Sequence, residues 1–212
     1  MIPVHVLAVR YLNNCAPSLL KALGAPADLP SLGILTTDCD DATYIALDAA
    51  TKASEVEVIY GGSFYGGAAN ASTPNAGEVI GILAGETPGA VKSGMGAALQ
   101  TLKTVGFSQV HGIPCLSHTV SSVGTFLAQE AGVSPGHAIA YLIAPPLEAM
   151  YALDAALKAA DVELKKLYKP PTATNFGGGL LSGTQSACRI AAEAFLQAVE
   201  DVAMRPQLLL KG

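Results

Sequence analysis

Residues 46–58 read ALDAATKASEVEV and residues 152–164 read ALDAALKAADVEL, 106 positions apart in a chain of 212. A spacing of half the chain is too long for a solenoid unit and predicts two domain-sized copies of one fold in tandem, residues 1–106 and 107–212. Gly85, closing VIGILAG, is echoed 98 positions on by Gly183, closing GGLLSG. The second offset is eight shorter than the first, which places eight extra residues in the Gly-rich loop of the first copy, GGSFYGGAANASTPNAG at 61–77. Duplicated chains favour pseudosymmetric assemblies, because each copy keeps the surface with which it would meet an identical neighbour.

Working outward, PVHVLAVRYL reads as a strand, APSLLKAL as a short helix and SLGILTT as a buried strand. Asp38 to Asp41 are expected to cap a helix over about residues 41–54, rich in Ala at i, i+4 spacing. EVEVIY and EVIGILAG flank the Gly-rich loop as strands, and a helix starts at Pro88. The second half predicts strand 109–120, helix 121–131, strand 138–143, helix 146–160, strands 162–168 and 177–183, and helix 184–203. The order β-α-β-α-β-β-α, twice over, is an α+β sandwich.

Half of the residues are apolar and only 14% are charged, against about 25% in an ordinary globular domain. Such a charge-poor surface points to burial against other subunits. A membrane span is excluded for the uncharged stretch 104–129, which Gly106, Gly112, Pro114 and two histidines interrupt. The N-terminus lacks the features of a signal peptide. Four scattered cysteines, Cys15, Cys39, Cys115 and Cys188, fit reduced thiols in a cytoplasmic protein. A net charge of −5 without a basic cluster argues against nucleic acid. No nucleophile elbow, H-E-x-x-H helix or phosphate loop is present, so no catalytic residue is assigned and an enzyme is not expected.

The segments LDAALKAADVEL and FGGGLLSGTQSACRIAAEAFLQAV resemble the bacterial microcompartment shell domain. SLGILTTDCDDATYIALDAATKA, AGEVIGILAG and PPTATNF extend the similarity over nearly the whole chain to the tandem-domain, trimeric type of shell protein, with the ethanolamine-utilization members most similar. This resemblance implies circularly permuted shell domains, three chains forming a pseudohexagonal tile, other shell proteins at its edges, and transport through pores. It implies a small amino alcohol such as ethanolamine as one permeant and cobalamin as a bulkier one. No resident cofactor is expected.

Asp40 and Asp41 read first as a helix start, where carboxylates face the positive end of the dipole. Yet the matched positions in the second copy are Pro146 and Leu147, and the match of Glu78 is Phe176, so the bare fold needs none of these three carboxylates. The resemblance places them around a small pore within each subunit, together with Phe107, Glu148 and Ala173, Thr174 and Asn175; Ala173 stands where some relatives carry an acidic residue. Clustered carboxylates suit a primary ammonium. They would equally suit a soluble small-molecule binding or sensor protein. Lys52 and Lys158, at matched positions in the two copies, fall at the tile edge by the same resemblance. His111, Cys115 and His118 form an H-x3-C-x2-H pattern that lacks a fourth ligand for zinc, so no metal is assigned. In the family this region gates the central pore; here it is shorter and lacks tryptophan, leaving Phe107 and His111 as the gate residues.

Overall fold

The computed structural model describes residues 1–64, 75, 77–170 and 172–207. The Gly-rich insertion of the first copy and the apolar tail Leu208–Leu210 lie largely or wholly outside the described residues. Fifteen elements are described. They run β1 (Val6–Leu12), α1 (Pro17–Leu23), β2 (Ser31–Thr37), α2 (Asp40–Ala53), β3 (Val56–Ser63), β4 (Val79–Gly85) and α3 (Pro88–Thr101). The second series is β5 (Ser108–Val110), β6 (Ile113–Val120), α4 (Thr125–Ala131), β7 (Ala138–Ala144), α5 (Pro146–Ala159), β8 (Val162–Tyr168), β9 (Gly177–Gly183) and α6 (Gln185–Met204).

The expected strand 109–120 is instead a hairpin. Val110 pairs with Ile113 across a two-residue turn, and His111 (φ 48°) and Gly112 (φ 85°) both hold positive φ. Two positive φ angles suit the type I′ turn, whose twist matches that of the flanking strands. Histidine enters this region more readily than most side chains. The helix expected from residue 121 begins at Thr125.

Two compact units are present. One comprises residues 3–106 with 123–130, the other residues 1–2, 107–122 and 131–212. Relative to a single cut at 106/107, the units therefore exchange the first two residues and most of α4.

In the first unit four antiparallel strands order as β1-β2-β4-β3. Strand alternation divides the side chains between two faces. Leu32, Ile82 and Ala84 pack with Leu20 of α1, while Gly33 and Gly81 lie against Met95 of α3 and Leu47 of α2. In the second unit five antiparallel strands order as β5-β6-β7-β9-β8. Its core interleaves Ala140, Leu142 and Leu181 of the sheet with Ala149, Ala152 and Ala156 of α5 and Ala191, Phe195 and Val199 of α6. The alanines let α5 and α6 approach closely, so core volume comes chiefly from Phe195 and the sheet leucines. The duplication extends to irregularities: the register of β3 slips between Val58 and Tyr60, and that of β8 between Leu164 and Lys166, each pair 106 positions apart.

Helix α4 is anchored by Asp48 of α2, a carboxylate with no side-chain exposure. Its Oδ2 accepts from the Gly124 N–H at 2.8 Å and its Oδ1 from the Leu127 N–H at 2.9 Å. Lys52, one turn on, places Nζ 3.2 Å from Oδ2. The Thr125 N–H donates to Thr51 Oγ1 at 3.1 Å, and that hydroxyl donates to the Asp48 carbonyl. Three N–H groups at the start of a seven-residue helix, which no intrahelical carbonyl can satisfy, thus find acceptors on α2. The approach requires glycine, because a Cβ on Gly124 would stand 2.2 Å from Thr51 Oγ1 and 2.7 Å from the Asp48 carbonyl oxygen. Asp48→Ala leaves two buried N–H donors without their acceptor and removes the ion pair to Lys52, and should cost roughly 3 kcal/mol. Calorimetric melting should show a fall of roughly 6–12 °C, with Asp154→Ala, whose carboxylate is exposed, changing the melting temperature of the isolated chain little.

Candidate functional site

The first unit gathers carboxylates where β2 ends, β3 ends and β4 begins. Helix α2 opens with Cys39 at its N-cap, whose side chain makes no capping bond. Asp40 and Asp41 occupy the first helical turn, so they complement the dipole without capping; the expected side-chain cap is absent. The helix start is secured instead by Thr37 and Thr43. Thr37 Oγ1 accepts from the Cys39 N–H at 3.1 Å, Thr43 Oγ1 donates to the Cys39 carbonyl at 2.8 Å, and the two hydroxyls lie 2.7 Å apart.

Asp40 and Asp41 are both buried at 7% exposure. The Asp41 N–H donates to Asp40 Oδ1 at 2.8 Å. Ser63, at the end of β3, hydrogen-bonds both the Asp40 carboxylate and the Tyr44 hydroxyl. Glu78 stands just before β4, its N–H donating to the Thr37 carbonyl at 2.8 Å and its carbonyl accepting from the Phe64 N–H at 2.9 Å. Asp38 joins the group at its outer side, where its carboxylate accepts from the His5 N–H at 2.7 Å and meets His5 Nδ1 at 2.6 Å.

Burial pushes the Asp40 carboxyl above the usual carboxylate range against the pull of its hydrogen bonds to Ser63 and to backbone N–H groups. Glu78 is exposed as a residue, but desolvation of its carboxyl group raises its pKa, and the charges of Asp40 and Asp38 raise it further. Desolvation likewise pushes the Cys39 thiol up to about 12, with Asp41, Asp40 and Glu78 adding to the effect. The Tyr44 phenol also rises to about 12, mainly by desolvation. The cluster therefore presents carboxylates that hold protons more tightly than normal, ringed by a thiol and a phenol that stay neutral. A gathering of carboxylates of this kind attracts cations.

The other residues expected from the sequence at the small pore lie on the second unit. Thr172–Phe176 form a turn closed by the Thr172 N–H to the Phe176 carbonyl at 3.0 Å and the Asn175 N–H to the Thr172 carbonyl at 3.1 Å. Asn175 takes φ 65°, a conformation asparagine tolerates, and Thr174 Oγ1 lies 3.4 Å from Thr172 Oγ1. Ala173 is in the same turn. Phe107 meets the edge of Phe176 at a centroid distance of 5.3 Å. Glu148 sits in the first turn of α5.

His111, at the tip of the β5–β6 hairpin, places Nε2 3.0 Å from Glu200 Oε1. Cys115 is buried in the helix-side core, whereas His118, three residues along the same strand, points to the opposite face. His111, Cys115 and His118 therefore cannot converge on one ion, and no metal-binding group of histidine, cysteine or carboxylate occurs among the described residues. Lys52 and Lys158 share an i, i−4 partner, Asp48 and Asp154, but only the first aspartate is buried.

Sequence reasoning missed His5, Tyr44 and Ser63 as members of the acidic group. Asp38 was visible only as part of the run DCDD. The serine carries no local signal, because β3 delivers it from 23 residues beyond Asp40.

The BMC domain profile matches residues 31–115. The chain is 52% identical over 210 residues to the bacterial microcompartment shell protein EutL of Clostridium perfringens, covering 97% of each. It superposes on the crystal structure of the ethanolamine utilization protein EutL from Leptotrichia buccalis with a TM-score of 0.93 at 54% identity, over 98% of each chain. A trimeric shell protein, PduB, shares the fold at a TM-score of 0.76 and 20% identity, over 92% of this chain and 87% of that one. Among the described residues no helix is long and apolar enough to cross a membrane. With about half of its positions shared along nearly the full length of these relatives, the chain belongs to the EutL family of bacterial microcompartment shell proteins.

Proposed function

We propose that this structural shell protein forms a trimeric, pseudohexagonal tile and that the acidic cluster is the polar wall of a narrow pore for a small primary ammonium such as ethanolamine. The observation that carries this reading is the asymmetry of the cluster. Asp40, Asp41 and Glu78 stand where the second copy has Pro146, Leu147 and Phe176, and two of the three have carboxyls raised by desolvation. A fold that can be built with Pro, Leu and Phe has no structural need of crowded, partly buried carboxylates. An ammonium among them would offset the mutual repulsion and donate up to three charge-assisted hydrogen bonds to the carboxylates. The name of the Leptotrichia relative ties that protein to ethanolamine utilization.

In the same reading Glu148, Ala173, Thr174 and Asn175 are the further residues that the family resemblance assigns to such a pore. Phe107 and His111 border the central pore that passes bulkier molecules such as cobalamin. The exposed hairpin tip and the His111–Glu200 pair support a gate there. Lys52 and Lys158 serve tile-to-tile contacts, Lys158 through an exposed side chain and Lys52 through a partly exposed one.

Titration calorimetry with ethanolamine should show binding at roughly millimolar strength, weak because a pore must release what it captures. Glu78→Gln should weaken it about fivefold, the loss of about 1 kcal/mol from one partly exposed charged contact. Equal binding by both proteins would remove the acidic cluster from transport.

The same variant tests the electrostatics without ligand. Asp40 and Glu78 have folded-state pKa values above their unfolded ones, so their contribution to stability is fully present below the ordinary carboxylate range and is lost as pH rises through the raised values. Glu78→Gln should therefore melt higher than the parent at pH 7, and the difference should vanish as pH falls to about 4. A difference that grows toward acid would carry the opposite sign and refute the assignment.

For the edge, the two lysines should separate. Lys158→Glu should block sheet assembly seen by electron microscopy while leaving the melting temperature within about 2 °C, as expected for an exposed side chain. Lys52→Glu should additionally destabilise, because it faces the fully buried Asp48.

A further inference from the structure

We infer that the exposed face of α5 is a docking surface for helix α1 of a second copy of this chain. This inference rests on the trimeric reading but assigns its contact from the internal duplication. In the first unit the matching face of α2 is covered: Tyr44 meets Phe126 of α4 at a centroid distance of 6.1 Å, and Asp48 accepts from Gly124 and Leu127. In the second unit the same helix face carries Leu147 at 64% exposure, Met150 at 37% and Tyr151 at 47%, beside an exposed Asp154. Met150 is the match of Tyr44 and Asp154 the match of Asp48, each 106 positions on.

The occupant follows from the same duplication. Helix α1 holds the place in the first series that α4 holds in the second, both seven residues long between matching strands. Leu127 is buried, whereas its counterpart Leu19 is 43% exposed. Aligning the helix starts sets Ala16, Pro17 and Leu19 against Gly124, Thr125 and Leu127. One further pair of differences is complementary. Thr125 donates its N–H to Thr51; Pro17 has no N–H to donate, and the counterpart of Thr51 on α5 is Leu157. The acceptor is missing where the donor is missing, as expected if α1 docks on α5 as α4 docks on α2. Ala16 carries a methyl where Gly124 has none, so α1 seats slightly further out, and apolar contacts of Leu19 with Leu147, Met150 and Tyr151 replace the hydroxyl bond. Such a contact is head-to-tail, with different surfaces on the two sides, and closes into a ring of three where each chain is turned by one third of a revolution from the last. The matched lysine Lys52 stays partly exposed with α4 in place, so docking of α1 leaves Lys158 accessible for contacts between tiles.

Light scattering of the full chain tests the inference. Wild type should give three times the 21.5 kDa chain mass, and Leu19→Glu and Met150→Glu should each reduce it to one chain while retaining the parent's far-UV circular dichroism. Independently of any folding defect in these variants, Ser18→Cys with Met150→Cys, the counterparts of the Phe126–Tyr44 contact, should yield covalent dimers and trimers on mild oxidation. Trimers that persist in both glutamate variants, or a double-cysteine protein that forms no link between chains, would overturn this inference alone. A monomeric wild type would overturn it together with the tile.

Discussion

The Asp48 carboxylate is the point from which the first unit is organised. A seven-residue helix is too short to be stable in water by itself, so α4 persists because its first N–H groups meet fixed acceptors on α2. A fully buried aspartate is costly unless it is paired; two N–H donors and the Lys52 ammonium supply the pairing. The buried charge is specific as well as stabilising. Only a segment with glycine at position 124 can bring its backbone so close, which fixes the register of α4 on α2 in a way that apolar packing of small residues would not.

A second constraint acts at the other end of α2. Three negative side chains near one helix start gain from its dipole by about 0.3–1 kcal/mol each, less than the cost of desolvating and crowding them. The raised carboxyls of Asp40 and Glu78 record that imbalance. The threonine pair Thr37–Thr43 secures the turn independently of the carboxylates. Support and charge are therefore separable, and the acidic side chains can be altered without removing what holds the helix start.

Much of the fold was legible because the signals were local. Alternation in EVEVIY, the Ala periodicity of α2 and α5, and prolines at 88 and 146 each act within a few residues, and the repeated LDAA-x-KA-x-x-VE block set the architecture. The β5–β6 hairpin was missed because its turn is His-Gly rather than the usual Asn-Gly, and because Ser108–Val110 is only three residues long. Asp48 was missed for the opposite reason. It shares the ALDAA run and the following lysine with Asp154, and this shared block does not distinguish a buried anchor from an exposed ion pair. The distinction is made by α4, which arrives from about 75 residues away. Likewise the three carboxylates were visible as departures from the second copy, whereas Ser63 and Tyr44 were not, since hydrogen-bond partners brought by a neighbouring strand leave no mark on spacing.

The surroundings of the carboxylates determine what the cluster can exchange. Cys39 and Tyr44, both with pKa values near 12, remain neutral across the physiological range, so the titratable response belongs to the carboxylates. Neutral neighbours neither compensate a captured cation's charge nor compete for it. The attraction is then set by the number of ionised carboxylates, and partial protonation of Asp40 or Glu78 weakens it. In the proposed pore, a cation would be drawn in while the carboxylates are charged and held less tightly as Asp40 or Glu78 takes up a proton. On that proposal, the same burial that makes the cluster unfavourable to the fold would limit how tightly it holds a ligand, which is the balance that permeation requires.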